Sequence, residues 1–449
     1  MRDLAPIVKA YDVRGVVPDE LDEEVAYALG RAAAVELRGA EMVVGRDMRP
    51  SSPALAHAFM VGARDQGVHT IDLGLASTDL VYYASGRFGV PGAMFTASHN
   101  PAQYNGIKLC RAHAEPVSLE TGLAEIRDRA AVHDLPRATR IGGRRELDLL
   151  AEYAAHVRSF VDVAQLRPLR VAIDAGNGMA GHVAPAVFDG LPFDLVPRFF
   201  ELDGTFPNHP ANPLDPANLE DLQATVVAEG CDIGLAFDGD ADRMFVIDES
   251  GAAVSPSIIA AAVATELLRH HPGETVLYNA ICSRVVAEAI EEAGGRAVRT
   301  RTGHSYVKAV MAETDAIFAA EHSGHYYFRD NYRADSGLIA TVVLLEALSL
   351  TGGAMSALAA PYDRYAASGE LSTPVEDPAA ALARVLDAFD GEGEVDHADG
   401  LTVDAGDWWF NVRVSNTEPL VRVNVEAGDA DTMGRIRQRV LEQIRPEER

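Results

Sequence analysis

A chain of 449 residues is longer than one hydrophobic core ordinarily organises, and domain-size scaling predicts three or four domains. Its 48% hydrophobic and 24% charged residues exclude the disordered and fibrous classes. A formal net charge of −28 with no basic run argues against nucleic acid and anionic membrane as partners.

Met1 to Tyr11 lacks the apolar segment of a secretion signal, and no apolar run reaches membrane-spanning length, so a cytoplasmic location is expected. Three segments then repeat one pattern: a short apolar strand, a polar or Gly-rich turn, an Ala-rich helix and a second strand entered through Gly or Pro. The first copy runs from Met42-Val43-Val44-Gly45 through a helix over Pro53 to Asp65, then from Gly67 and Val68 to Leu73. The second starts at Leu169 to Ile173, turns at Asp174 to Gly178 and returns at Phe193 to Val196. The third starts at Thr275 to Tyr278, has a helix from Ser283 (its expected N-cap) to Ala293, and re-enters after Gly294-Gly295.

The tail departs from this pattern. Glu370 to Ala380 is rich in Pro, Glu and Ser and precedes a helix and a Gly/Asp-rich patch. Strands over Trp408 to Val414 and Leu420 to Val425, joined by a tight polar turn, and a helix from Asp431 to Ile444 complete a smaller fourth domain. The expected boundaries are 1–150, 151–252, 253–365 and 366–449.

Cys110, Cys231 and Cys282 are odd in number and widely spaced, which excludes a disulfide framework and a structural zinc site. Only Lys9, Lys108 and Lys308 are lysines, arginine supplying all other side chains of the 39 Lys and Arg residues. GC-rich codon bias accounts for the arginines. A lysine kept at three places invites a role for a compact ammonium.

Four constellations could carry chemistry. Thr96-Ala97-Ser98-His99-Asn100-Pro101 follows the apolar Val90 to Phe95 segment, which puts Ser98 at the sheet edge where α/β proteins bind ligands, as a nucleophile, a phosphate carrier or part of an ordinary turn. Asp238-Gly239-Asp240-Ala241-Asp242-Arg243 follows the apolar Ile233 to Phe237 run, and its alternating carboxylates can converge on a hard cation. An EF-hand loop would also carry Glu249 at its twelfth position, but its sixth demands Gly and here is Arg243. Glu321-His322-Ser323-Gly324-His325 offers a carboxylate and a hydroxyl for sugar hydroxyls and an imidazole for proton transfer, or is a satisfied loop. Arg413-Val414-Ser415-Asn416-Thr417-Glu418-Pro419, with Arg422, has the ingredients of a phosphate cradle or of a hairpin turn. Tyr11 to Gly15, Gly45-Arg46-Asp47, Tyr104 to Lys108 and Thr302 to Tyr306 are shorter candidates.

In this order and spacing the motifs resemble the α-D-phosphohexomutase superfamily, in its phosphomannomutase/phosphoglucomutase branch, over essentially the whole chain. The resemblance implies a four-domain α/β architecture, three related α/β domains and a smaller α+β C-terminal domain around a central cleft. It implies Ser98 as phosphoserine, Asp238, Asp240 and Asp242 as Mg²⁺ ligands together with phosphorylated Ser98, and Arg243 as a charge partner. Lys108 and His325 match general acid/base positions, with His304, Arg14 and Tyr11 lining the cleft. Glu321 and Ser323 would hold sugar hydroxyls, and Arg413, Ser415, Asn416, Thr417 and Arg422 the non-reacting phosphate. The implied activity is interconversion of mannose 6-phosphate and mannose 1-phosphate through a hexose 1,6-bisphosphate, which also serves as activator. Asn416 matches phosphomannomutases and dual-specificity enzymes, whereas glucosamine-phosphate mutases tend to have Gly there. His322 replaces a common Met or Gln, and Ile281 lies near a cleft Lys of some dual-specificity relatives. A phosphoglucomutase or dual-specificity phosphomannomutase/phosphoglucomutase, a non-catalytic sugar-phosphate-binding relative and a Mg²⁺-dependent phosphatase are the alternatives. A hinge is expected near Pro361 to Glu370, so that the last domain closes over substrate and excludes water.

Overall fold

The computed structural model describes residues 3–132, 135–414 and 420–445. Among these the chain forms four sheets, each from consecutive strands. The first contains β1 (Val13–Val16), β2 (Glu41–Arg46), β3 (His69–Leu75), β4 (Gly92–Phe95), β5 (Tyr104–Cys110) and β6 (Arg144–Glu146), in the order β1-β5-β4-β2-β3-β6. The second contains β7 (Leu169–Asp174), β8 (Phe193–Arg198), β9 (Ile233–Phe237), β10 (Met244–Asp248) and β11 (Ala253–Val254), ordered β11-β10-β9-β7-β8. The third contains β12 (Thr275–Asn279), β13 (Arg296–Thr300), β14 (Phe318–Ala320), β15 (Tyr326–Phe328) and β16 (Ala334–Asp335), ordered β13-β12-β14-β15-β16.

These sheets share one plan. Strands β2, β7 and β12 each pair in parallel with the next strand across an intervening helix, then in parallel with a third strand on the other side. The third strand pairs antiparallel with the fourth: β4 with β5, β9 with β10, β14 with β15. Parallel neighbours need a long crossover whereas antiparallel ones accept a short loop, so each domain carries one short loop at the carboxyl end of its third strand. Those loops hold Ser98, the three aspartates, and Glu321 to His325.

The repeat expected from the sequence is therefore present, with local corrections. The first repeat's returning strand is β3, His69–Leu75, two residues later than expected. The third helix is Val285–Glu292 and its N-cap is Arg284, not Ser283; the Ser283 hydroxyl instead accepts from Val285 N at 3.2 Å. In the tail, β17 (Ala366–Ala367), β18 (Leu371–Pro374), β19 (Glu394–Asp396), β20 (Leu401–Asp404), β21 (Trp408–Val414) and β22 (Leu420–Ala427) form an antiparallel sheet backed by helices Pro378–Ala388 and Ala430–Ile444. The Pro/Glu/Ser-rich segment thus contributes β18, and the Gly/Asp-rich patch β19 and β20. Strands of three or four residues are too short to show the alternation that marks a strand in sequence. The expected turn after Val414 lies outside the described residues.

One apolar cluster runs from Val43 to Ala359 and draws on the first three sheets, while the tail sheet has its own core around Phe389, Phe410, Val423 and Val440. Among the described residues no single helix is long and apolar enough to cross a membrane. The most apolar, Gly337–Thr351, is buried over residues 337–349.

Candidate active site

The three loops converge on a cleft of about 690 Å³. Ser98, Lys108, Arg243, His304, Glu321, Ser323, His325, Tyr11, Arg14, Asp242 and Arg422 all line it. Asp238 and Asp240 lie fully buried beside Ser98 and Lys108, and Arg413 stands outside the wall. Ser415, Asn416 and Thr417 lie outside the described residues.

Strand β4 delivers Thr96, whose Oγ1 accepts from Ser98 N (2.9 Å), and Ser98 itself sits in left-handed backbone at φ 49°. Such a conformation costs a non-glycine residue about 1–3 kcal/mol. It is held by Arg49, which donates to the carbonyls of Ser98, Asn100, Pro101 and Tyr104 at 2.7–2.9 Å and, through Nε, to Asp47. The Ser98 hydroxyl is thereby aimed at the second loop. It donates to Asp238 Oδ2 (2.7 Å), accepts from Arg243 Nη2 (2.9 Å), and lies 3.1 Å from His99 Nδ1.

The second loop is curled by Ala241 at φ 62° and abuts the first at Gly239, where a Cβ would lie 2.4 Å from the Ser98 carbonyl oxygen. Carboxylate oxygens of Asp238, Asp240 and Asp242 all lie within 4.8 Å of one another. Lys108 Nζ bridges Asp240 Oδ2 (2.7 Å) and Asp242 Oδ2 (2.6 Å), and the Thr78 hydroxyl donates to Asp240 Oδ2 (2.5 Å). Burial opposes charge on both aspartates. For Asp240 the Lys108 ammonium overrides it and holds the carboxyl well below its usual range. Asp242 feels burial and the Asp240 charge more than Lys108, and is pushed up to about 7. Asp240 Oδ1 and Asp242 Oδ1 are buried with no hydrogen-bond partner among the described residues. Orphaned oxygens amid clustered carboxylates fit a hard divalent cation of the Mg²⁺ type, and the all-oxygen donor set does not favour zinc. The antiparallel strands β9 and β10 flanking this loop, in place of helices, agree with Arg243 in excluding an EF-hand.

The third loop turns Glu321 inward, where it accepts from Tyr327 OH (2.5 Å), Asn279 Nδ2 (3.4 Å) and Gly303 N (3.3 Å). His325 Nδ1 lies 2.9 Å from Asp335 Oδ2 on β16 and 4.0 Å from Asp242 Oδ1. Burial lowers the affinity of this imidazole for a proton, but Asp242 and Asp335 outweigh it and raise its pKa. His304, by contrast, is depressed to about 3 by burial and then by the neighbouring Lys308 and Lys108 charges. Tyr11 meets the His304 ring edge-on at 4.8 Å, and burial pushes its phenol up to about 12. Arg14 donates to Asn100 Oδ1 and pairs with Asp12. His322 turns away to Ser257 Oγ (2.9 Å), and Ile281 is buried outside the cleft wall. On the tail sheet Arg413 and Arg422 face each other across β21 and β22, and both grip Glu370, at 2.5 and 3.0 Å.

Arg49, Thr78, Asp335 and Tyr327 escaped the sequence reading. Arg49 follows the noted Gly45-Arg46-Asp47 by two residues, but nothing in one sequence separates a buried arginine from a surface one.

A buried serine facing an acidic triad, in a cleft walled by three like α/β domains and a smaller fourth, defines the α-D-phosphohexomutase class. Models of the phosphoglucomutase/phosphomannomutase family match all four parts: α/β/α domain I over residues 5–135, domain II over 151–251, domain III over 255–365, and the C-terminal domain over 370–443. The chain belongs to the phosphoglucomutase/phosphomannomutase family. It is 39% identical to a Salmonella montevideo protein named phosphomannomutase (95% of this chain, 96% of the relative) and 37% identical to a Pseudomonas aeruginosa protein named phosphomannomutase/phosphoglucomutase (96% and 94%). The crystal structure of a family protein from Burkholderia thailandensis superposes at a TM-score of 0.89, with 34% identity and 98% of each chain covered.

Proposed function

We propose that this protein is a cytoplasmic phosphomannomutase, interconverting mannose 6-phosphate and mannose 1-phosphate through phospho-Ser98 and an enzyme-bound hexose 1,6-bisphosphate. The observation that carries this reading is the Ser98 hydroxyl, wedged between Asp238 Oδ2 and Arg243 Nη2 in the cleft. In the first half-reaction the bond from phosphorus to Ser98 Oγ breaks, a bond to a sugar hydroxyl oxygen forms, and the hydroxyl proton ends on Ser98 Oγ. After the bisphosphate reverses end for end, a bond forms from Ser98 Oγ to the other phosphorus, the bond from that phosphorus to the sugar oxygen breaks, and the Ser98 proton ends on that oxygen.

Asp238, Asp240 and Asp242, together with phosphorylated Ser98, would hold Mg²⁺, which would supply charge neutralisation for the transferring group. Arg243 compensates that charge from the protein side, since its guanidinium already touches Oγ. In the first half-reaction Lys108, kept cationic by Asp240 and Asp242, gives a proton to Ser98 Oγ and His325 takes one from the sugar hydroxyl; in the second the two exchange roles, which restores both. Glu321 and Ser323 hold sugar hydroxyls. Arg413, Ser415, Asn416, Thr417 and Arg422 bind the distal phosphate. Tyr11, Arg14 and the neutral His304 shape the wall. We take the domain boundaries as 1–150, 151–252, 253–365 and 366–449, with the hinge between Pro361 and Glu370.

A dual-specificity phosphomannomutase/phosphoglucomutase is the second reading, favoured by the name of the Pseudomonas aeruginosa relative. Both are tested with mannose 1-phosphate or glucose 1-phosphate, Mg²⁺ and a trace of glucose 1,6-bisphosphate as activator, reading 6-phosphate formation. The expected result is turnover that favours mannose and that is lost on chelation of the metal and in Ser98→Ala. Turnover retained by Ser98→Ala would refute the phosphoserine, and equal rates would support dual specificity.

A further inference from the structure

All three lysines of the chain come to the cleft. Lys9 and Lys108 line it, and Lys308 packs behind its wall against Tyr82 and Asp335. Lys108 belongs to the acidic cluster, but Lys308 has no part in the reaction described above. It stands on the helix His304–Thr314, is 3% exposed, and among the described residues its ammonium has no hydrogen-bond partner. Its nearest charged atom is Asp335 Oδ1 at 3.9 Å, and it lies 4.1 Å from the centroid of the Tyr82 ring.

Burying an ammonium without hydrogen bonds costs several kcal/mol, and an apolar side chain of like volume would fill the same space at lower cost. Burial accordingly depresses the Lys308 pKa, against the pull of Asp335. What distinguishes the position is the geometry beyond the first contact. The second oxygen of the same carboxylate, Asp335 Oδ2, lies 2.9 Å from His325 Nδ1, so one aspartate links the buried ammonium to an imidazole on the cleft wall. The rival carboxylate is Asp242, whose Oδ1 lies 4.0 Å from the same nitrogen.

We propose that Lys308 is a positioning residue for the phosphoryl-transfer reaction: its ammonium anchors Asp335 by charge, so that Asp335 Oδ2 accepts from His325 Nδ1–H and Nε2 is left as the free nitrogen for the substrate hydroxyl. This rests on the reading of His325 as the proton acceptor. An ammonium suits the place because it is compact and needs no planar fork of acceptors. A guanidinium between the Tyr82 ring and Asp335 would overpack. Without the ammonium, Asp335 is freer to turn away from Nδ1, and the carboxylate left near the same nitrogen, Asp242 Oδ1 at 4.0 Å, is beyond hydrogen-bond reach of the Nδ1 proton. Aspartates that orient a histidine in this way fix its tautomer and do not themselves take the proton.

The test uses the full chain with Lys308→Met and Asp335→Asn, assayed with Mg²⁺, mannose 1-phosphate and glucose 1,6-bisphosphate, beside long-range ¹⁵N–¹H spectra of the histidine rings without substrate. The His325 signals are assigned with His325→Gln. Wild type is expected to show a single Nδ1–H tautomer at His325. Lys308→Met is expected to show a mixture, with kcat reduced on the order of 10- to 100-fold and KM nearly unchanged, as for loss of a group that orients a functional histidine. Asp335→Asn should reproduce both effects, and it carries the test alone if Lys308→Met does not fold. An unchanged His325 tautomer in the folded variants, or an unchanged kcat in them, overturns the proposal. The spectra need no substrate, so a wild-type protein that shifts tautomer on loss of Lys308 yet turns over no hexose phosphate would refute the function and uphold the positioning.

Discussion

Arg49 uses all five of its N–H donors: one on Asp47, four on the carbonyls of the Ser98 loop. No other side chain has that fork of donors, and lysine would bring three donors from a single point. Arg49→Met therefore leaves four carbonyls and a buried Asp47 short of donors. Removing one partner of a buried ion pair typically costs about 3–5 kcal/mol. The expected outcome is a loss of that order in the urea unfolding of the first domain, with turnover falling as Ser98 loses its frame. Wild-type stability in this variant would mean that Thr96 alone sets the loop. Arg49 and Asp335 share a property that hid them in the sequence: each acts on a segment brought to it by the fold, and neither has a flanking pattern of its own. Ser98 and the aspartates were legible because their partners in the motif are their neighbours in the chain.

At the scale of elements, what positions the chemistry is the meeting of two tight loops from different sheets. Gly239 is the contact point, since a methyl there would lie 2.4 Å from the Ser98 carbonyl oxygen. Gly239→Ala should push the loops apart while leaving both sheets intact. A displacement near 1 Å at a reacting group is worth about a 100-fold loss of rate. We expect kcat to fall by that order with the melting transition little changed; a variant that retains wild-type kcat would show that the loops yield without moving Ser98 Oγ. The parallel repeats were readable because strand, helix and strand each carry a local hydrophobic period. Strands β6 and β18 were not, because a run of three or four residues without apolar alternation owes its conformation to the neighbour it pairs with.

The whole molecule divides unequally. The first three sheets share one apolar cluster, whereas the tail sheet has a separate core and meets the third domain through polar contacts: Arg284 with Asp404 and Glu426, Arg299 with Asp396, and Thr302 N with Asp399. Polar domain interfaces permit relative motion by default. The paired Arg413 and Arg422 are occupied by Glu370, which a substrate phosphate would have to replace. Binding of a hexose bisphosphate is therefore expected to close the tail domain over the cleft, seen as a smaller radius of gyration by small-angle scattering. An unchanged radius at saturating ligand would remove the hinge between Pro361 and Glu370 from the account.

The sequence by itself determined the repeated α/β plan, the smaller fourth domain, and the three motifs that meet in the cleft, because hydrophobic period and turn chemistry are local. Only the tertiary structure decided how those motifs are held. The Arg49 frame, the Gly239 contact, the Lys108 bridge between two aspartates and the Lys308–Asp335–His325 line all depend on distances between segments far apart in the chain, which no local pattern encodes.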